Sequence, residues 1–455
     1  VSERPTERIE SDSWEEIDRL VARFFVAERQ HISISLALCS LYRYHPGMGM
    51  SAHRRMILLA CRPGAAAKAE MRELASGPLD WRELALQSHE LELEALVSRR
   101  VDEICGDLLP AEVGALLHRT YRRNLGRNLA LGEKLAEILD LFAEAGIPAL
   151  ALKGPVLAET AYGHPGLRKI YDLDLLVRRS DVRKAFSLLV ARGYRSHSKP
   201  PIDLDAERDV SLVREAVIEL HWKLKDRFLR LPETALWEDT RELRWNGRTI
   251  SGLSNELLLL QLVHHLHYHA HPLKILVDVG RVIERSGSEI DWQRVGELAR
   301  GWKMQRNLHL ALEAVSRVLD QDLPTPARDL CQETAGGRWW LRSLILNPRW
   351  YFSRRAQVLR ADAHLRSAFS ALSIDGSATE LMRTLAGRGG AKAKSRTQTS
   401  AAPWLHHARG LAAGFWRMAR PGMARPGMAR PGMARPDAAR PDAASRLENA
   451  LDLGI

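Results

Sequence analysis

From Ile170 to Val177 the chain reads Ile-Tyr-Asp-Leu-Asp-Leu-Leu-Val. A period of two puts Asp172, Asp174 and Leu176 on one face of an extended strand and Tyr171, Leu173 and Leu175 on the other. The apolar face must be buried against something. The carboxylate face is costly to hold there unless it is solvated, paired or metal-bound. Residues i and i+2 of a strand lie about 6.5–7 Å apart at Cα. From that spacing two side chains can share metal ions separated by about 3.5–4 Å.

What precedes this strand fits the same chemistry. Ile147 to Leu152 is a short apolar run, long enough for a buried strand and too short for a helix. Lys153-Gly154 ends it, and Pro155 has the fixed φ suited to the first turn of a helix. Val156, Leu157, Ala161 and Tyr162 continue at helical spacing until Gly163-His164-Pro165-Gly166 stops them. A glycine turn opening a helix leaves backbone N–H groups free at its positive end, where phosphate is a natural guest. Lys153 and Arg168 add cationic groups beside it.

A third acid follows. Val210 to Arg214 and Ala216 to Trp222 both read as strands. In the second, Ala216, Ile218, Leu220 and Trp222 share one face, while Val217, Glu219 and His221 share the other. Glu219 is therefore the acid expected to reach a metal from a neighbouring strand, and it could help accept the proton of an attacking hydroxyl. Each piece alone has a plain alternative. Asp172 and Asp174 could be strand-end polar residues, Lys153-Gly154-Pro155 an ordinary turn and Glu219 a solvated edge residue. The order strand, glycine turn, helix, Asp-x-Asp strand, helix, acidic strand favours the functional account.

Leu152-Lys153-Gly154, Leu167-Arg168, Tyr171 to Val177 and Ile218-Glu219-Leu220-His221-Trp222 resemble the signature of the uncharacterised nucleotidyltransferase family of the DNA polymerase beta superfamily. Upstream, Leu79-Asp80-Trp81 and the stretch from Tyr121 to Pro148 are similar to the family's lead-in. Downstream, Leu253-Ser254, His265, His269, Leu273-Lys274 and Asp278 to Arg281 are similar to its helical C-terminal part. The resemblance spans roughly Arg54 to Ile283. It implies magnesium-dependent transfer of a nucleotidyl group from a nucleoside triphosphate (NTP) to an acceptor. Asp172, Asp174 and Glu219 match the superfamily's metal carboxylates, with two Mg²⁺ ions expected, and Gly154 matches its phosphate-side glycine. Lys153, Gly154 and Arg168 are the expected phosphate-binding residues. Where many relatives have a second Gly or a Ser, Pro155 removes one N–H and one hydroxyl. Two alternatives follow: an inactive module of the same fold that binds a nucleotide or a partner protein, and an RNA-binding factor that uses a basic tail. The acceptor, whether small molecule, peptide, protein or RNA, is left open, as is the choice of nucleotide.

The implied fold class is α+β, a small mixed polymerase-beta-like sheet flanked by N-terminal and C-terminal helical regions. The expected divisions are an extension at 1–53, a helical flank at 54–145, the nucleotidyltransferase core at 146–253, a helical region at 254–384 and a basic tail at 385–455. The net charge of +11 is concentrated in that tail, since 13 Lys and Arg stand against 4 Asp and Glu from Leu381 onward. Its Met-Ala-Arg-Pro-Gly repeat reads as a disordered segment with at most a weak acidic partner. Residues 1–47 read as dispensable, and Ile32 to Tyr42 is too short to span a membrane. Scattered cysteines without a C-x-x-C suggest reduced thiols and a cytoplasmic setting. A helix capped by Ser254 and ending before Pro272 would put His265 and His269 on one face, more as a polar face of the cleft than as a zinc site. Asp278 and Arg281, one turn apart, are expected to pair with each other.

Overall fold

The two acidic segments with alternating faces form neighbouring inner strands of one sheet. The computed structural model of the chain describes residues 50–196, 209–223, 233–266, 271–332, 346 and 348–352. The expectations for residues 1–47, His269 and the basic tail lie outside them. A five-stranded mixed sheet is built from β1 (Ala149–Ala151), β2 (Asp172–Val177), β3 (Arg195–Ser196), β4 (Asp209–Val213) and β5 (Val217–His221), in the order β1-β2-β5-β4-β3. Only β2 and β5 run parallel; the other neighbours are antiparallel. The crossover between β2 and β5 carries a helix, Val182–Ala191, as parallel pairing requires.

One face of this sheet is apolar throughout. Leu173, Leu175 and Val177 of β2 and Ile218, Leu220 and the adjoining Trp222 of β5 are buried in one cluster. Helices on the same side complete it. A 34-residue helix, Ala111–Glu144, contributes Leu131, Leu135, Ile138 and Phe142. The short helix Pro155–Thr160 contributes Val156 and Ala158, and the crossover helix contributes Val182, Ala185 and Leu189. In chain order these helices are α5, α6 and α7. They are preceded by α1 (Ala52–Cys61), α2 (Ala65–Ala75), α3 (Trp81–Glu90) and α4 (Glu94–Cys105), and followed by α8 (Glu233–Glu238).

A second, two-stranded sheet, β6 (Thr240–Trp245) with β7 (Arg248–Leu253), turns at Asn246-Gly247. Both turn residues have positive φ, 48° and 72°, as a tight hairpin of this handedness demands. Trp245 joins the sheet core, and its ring lies so close to Gly132 of α5 that a Cβ there would sit 3.3 Å away. Beyond the hairpin come α9 (Asn255–Leu266), α10 (Pro272–Ser286), α11 (Trp292–Gly301), α12 (Gln305–Val318), α13 (Thr325–Gln332) and α14 (Pro348–Tyr351). Ser254 caps α9 as expected, its Oγ accepting from the Leu257 N–H at 3.1 Å. The fold is therefore α+β, with the sheet set between two groups of helices.

Long-range polar contacts fix the loop between α6 and β2. Asn124 and Asn128, one turn apart on α5, are buried and donate their side-chain amides to loop carbonyls. Asn124 reaches Gly166 at 2.8 Å, and Asn128 reaches Arg168 at 2.7 Å. Arg168 then reaches α10, where its Nε and Nη2 donate to the two oxygens of the fully buried Asp278 at 2.8 and 2.9 Å. The Tyr162 hydroxyl donates to the same carboxylate at 2.6 Å. This corrects the expected pairing of Asp278 with Arg281. Asp278 points inward to Arg168, and Arg281 pairs with Glu284 near the surface.

Removing one partner of a buried, hydrogen-bonded ion pair leaves an uncompensated charge. Asp278→Ala should therefore cost about 3–5 kcal/mol of unfolding free energy in a denaturant titration. Arg281→Ala should cost no more than about 1 kcal/mol. Equal losses would contradict this assignment of partners.

Candidate active site

The polar face of the sheet begins where β1 ends. The antiparallel ladder continues one step beyond β1, the Leu152 N–H donating to the Asp174 carbonyl at 3.1 Å. This delivers Lys153 beside the acidic strand, with its Nζ 3.2 Å from Asp174 Oδ2. Gly154 follows with φ 67° and ψ −130°, a conformation open to glycine and strained for other residues. An added Cβ would meet the Asp172 carbonyl oxygen at 3.4 Å. The absent side chain thus lets the turn lie directly on the acidic strand, and Pro155 opens α6 immediately afterwards.

Strand register brings the acids together. In the parallel ladder Asp174 stands opposite Glu219, and Asp172 opposite Val217. Their alternate neighbours are in the core, so the carboxylates share the opposite face. His221, also on that face, places Nε2 3.2 Å from Asp174 Oδ1 and 3.5 Å from Glu219 Oε2. Its Nδ1 lies 3.7 Å from Asp209 Oδ2 at the start of β4. Sequence reasoning placed His221 on this face but gave it no role; its partner across β2 is the part that local pattern does not reveal.

Electrostatics divides the acids. Asp174 is only 4% exposed, and burial alone would raise its pKa. Lys153 and His221 outweigh that and hold it well below the usual carboxylate range. Glu219 is also lowered, chiefly by the hydrogen bond with His221. Asp172 goes the other way: burial first, then repulsion by Asp174, push it up to about 6. His221 resists its own burial because Asp174 and Glu219 raise it to about 9, so it is an imidazolium at neutral pH.

Around this centre lies a ring of cations already matched to acids. Arg168 is within electrostatic reach of Asp174, but its guanidinium is bonded to Asp278. Lys274, near the start of α10, is buried against Glu92 and lowers Asp172 through space. Lys169 is buried against Glu94. The structure thus brings together Lys153, Asp174, Glu219 and His221, with Asp172 adjacent on β2 and Gly154 against its backbone. Arg168 sits in the surrounding shell, and His265 lies near the end of α9.

The donor set suits a hard divalent cation. One oxygen each from Asp174 and Glu219 and a ring nitrogen of His221 lie within 4.8 Å of one another. With no cation bound, the imidazolium of His221 serves these acids as a positive charge; deprotonated, its ring nitrogen is a third ligand atom. The carboxylate oxygens are the natural ligands, and oxygen donors select magnesium-like ions. Burial is the first cause of the upward shift of Asp172 and repulsion by Asp174 the second, so a cation at this face would favour its ionised form.

Among the described residues no helix is long and apolar enough to cross a membrane. Comparison with curated proteins and with solved structures finds no match. A family model described as an uncharacterised nucleotidyltransferase does match, over residues 77–320. That range starts within the N-terminal helices, contains the whole acidic face, and runs on into the C-terminal helices beyond the Ile283 limit suggested by the sequence motifs. It covers more than half of the chain, and the chain belongs to this nucleotidyltransferase family.

Proposed function

We propose that this protein transfers a nucleotidyl group from a nucleoside triphosphate to a hydroxyl or amine acceptor, with Asp172, Asp174 and Glu219 holding two Mg²⁺ ions. The observation that carries this is the β2–β5 register, which sets Asp174 opposite Glu219 on the polar face with Asp172 two residues away. A partner-binding module would not need three acids aligned on two strands. Family membership supplies the reaction class.

Bound magnesium would supply Lewis-acid stabilisation of the charge that develops on the α-phosphate. The residues of the chain do the rest. Gly154 lets the triphosphate approach the backbone beside Asp172, and Lys153 is the mobile cation at the phosphate end. Arg168, fixed by Asp278, adds a positive field without swinging. Glu219, on the strand next to Asp172, helps accept the acceptor's proton. His221 keeps Asp174 and Glu219 ionised and oriented. Transfer joins the acceptor oxygen or nitrogen to the α-phosphorus and releases pyrophosphate.

One observation favours a second reading. Lys153 and His221 already neutralise part of the acidic set, and Pro155 removes an N–H from the phosphate turn. A nucleotide-binding module without turnover would need no more. Turnover separates the two readings, and calorimetric titration of ATP, CTP, GTP and UTP tests the metal site that the first one needs. Magnesium-dependent binding in the wild type and its loss in the Asp172→Asn, Asp174→Asn double variant supports the metal site. Binding that ignores both the metal and the substitutions would sink it.

Two further outcomes are expected. Asp172→Asn should abolish turnover, at least a loss of about a thousandfold given the several kcal/mol a metal contributes. It should leave the melting temperature unchanged or slightly higher, because it removes a charge that the fold disfavours. A clear drop in melting temperature would contradict that. Lys153→Met should strengthen binding of Mg²⁺ alone, since Asp174 loses a competing cation, while weakening triphosphate binding. Both affinities are read by titration with and without nucleotide.

A further inference from the structure

On α5, Arg119, Arg123, Gly126, Ala130, Glu133 and Glu137 succeed one another at steps of four, three, four, three and four residues. That spacing puts them in one line on the helix surface, the line that a second helix follows in coiled-coil packing. All six are exposed. Among the described residues Arg119, Arg122, Arg123 and Glu133 form no ion pair, whereas on the same helix Lys134 is shared between Glu137 and Glu215, and Asp140 is held by Arg248.

The middle of the line has no use within one chain. Gly126 lies inside a 34-residue helix, where glycine is less favourable than alanine, and a Cβ added to it would meet nothing within 4 Å. Gly132 differs, because it is pressed against Trp245. Leu129, beside the line, is 51% exposed. Ala130, Glu133 and Glu137 border a cavity of about 450 Å³, so the acidic end is open to a partner as well as the basic one.

The order of charges identifies that partner. The line reads Arg, Arg, Gly, Ala, Glu, Glu, so a polyanion is repelled at one end and a polycation at the other. A parallel copy of the helix would set like charges together. An antiparallel copy sets opposite ones together. We propose that a second copy of this chain packs antiparallel on α5, about a two-fold axis level with Asn128, in an isologous dimer. Gly126 of each protomer then faces Ala130 of its partner, Arg123 is level with Glu133, and Arg119 is level with Glu137, once at each end. The small residues bring the helix axes to the lower end of the roughly 8–10 Å range of packed helices. Leu129, one residue from the axis, packs on its own copy. From Arg119 to Glu137 the contact runs about 27 Å along the helix.

The test is sedimentation velocity on the full chain, from about 1 to about 200 µM at low salt, where exposed charges are least screened. The wild type should show a concentration-dependent equilibrium between monomer and dimer. Arg119→Glu with Arg123→Glu makes both ends of the line acidic and should weaken association at least about tenfold. Glu133→Arg with Glu137→Arg makes both ends basic and should do the same. Mixing these two variants, or placing all four substitutions in one chain, restores opposite charges across the axis and should recover the dimer. Recovery also establishes that the reversed chains fold. Gly126→Leu, for which one chain alone has space, should weaken association without lowering the melting temperature of the dilute monomer. A wild type that stays monomeric throughout, a dimer indifferent to the reversals, reversals that fail to rescue one another, or undiminished association of Gly126→Leu would overturn the proposal.

Discussion

Carboxylates crowded on one sheet face repel each other, and much of the polar architecture of this protein answers that repulsion. Lys153 and His221 neutralise Asp174 directly, and His221 serves Glu219 as well. Outside them, Arg168 with Asp278, Lys169 with Glu94 and Lys274 with Glu92 form buried ion pairs contributed by the core, the N-terminal helices and α10. Such pairs are poor sources of stability because desolvation offsets most of their attraction. Their arrangement near Asp172 and Asp174 makes more sense as a way of fixing the local field, in which burial and Asp174 still raise Asp172.

That field has a mechanical side. Lys153 reaches Asp174 because the β1–β2 ladder continues to Leu152, and Gly154 permits the turn that follows. The connection from α6 to β2 is held by Asn124 and Asn128, so α5 supports the loop on which Arg168 sits. The same helix buries Leu131, Leu135 and Phe142 in the sheet core. One element thus packs the apolar face of the sheet and steadies the approach to the polar face.

Much of the centre was legible in the sequence because it depends on local periodicity. The alternation in 170–177 and 216–222 assigned Asp172, Asp174 and Glu219 to polar faces, Gly154-Pro155 marked the turn into a helix, and Ser254 marked a cap. What was not legible depends on contacts between distant segments. Arg168 and Asp278 are 110 residues apart, and helical spacing alone suggested Arg281 as the nearer partner. His221 could be placed on the polar face, but its bond to Asp174 depends on the register between β2 and β5. Asn246-Gly247 is a hairpin signal in plain view, yet only the fold shows Trp245 packing against Gly132.

The parallel ladder between β2 and β5 also bears on how such a chain can diverge. Substitutions in the crossover between these strands alter none of the three acids, so length and composition can drift there while the site persists. A one-residue insertion inside β2 or β5 is different in kind. It would turn Asp172 and Asp174, or Glu219, toward the apolar side and bring leucines to the polar one. Descent in this lineage should therefore preserve the spacing within these two strands more strictly than the identity of the residues around them.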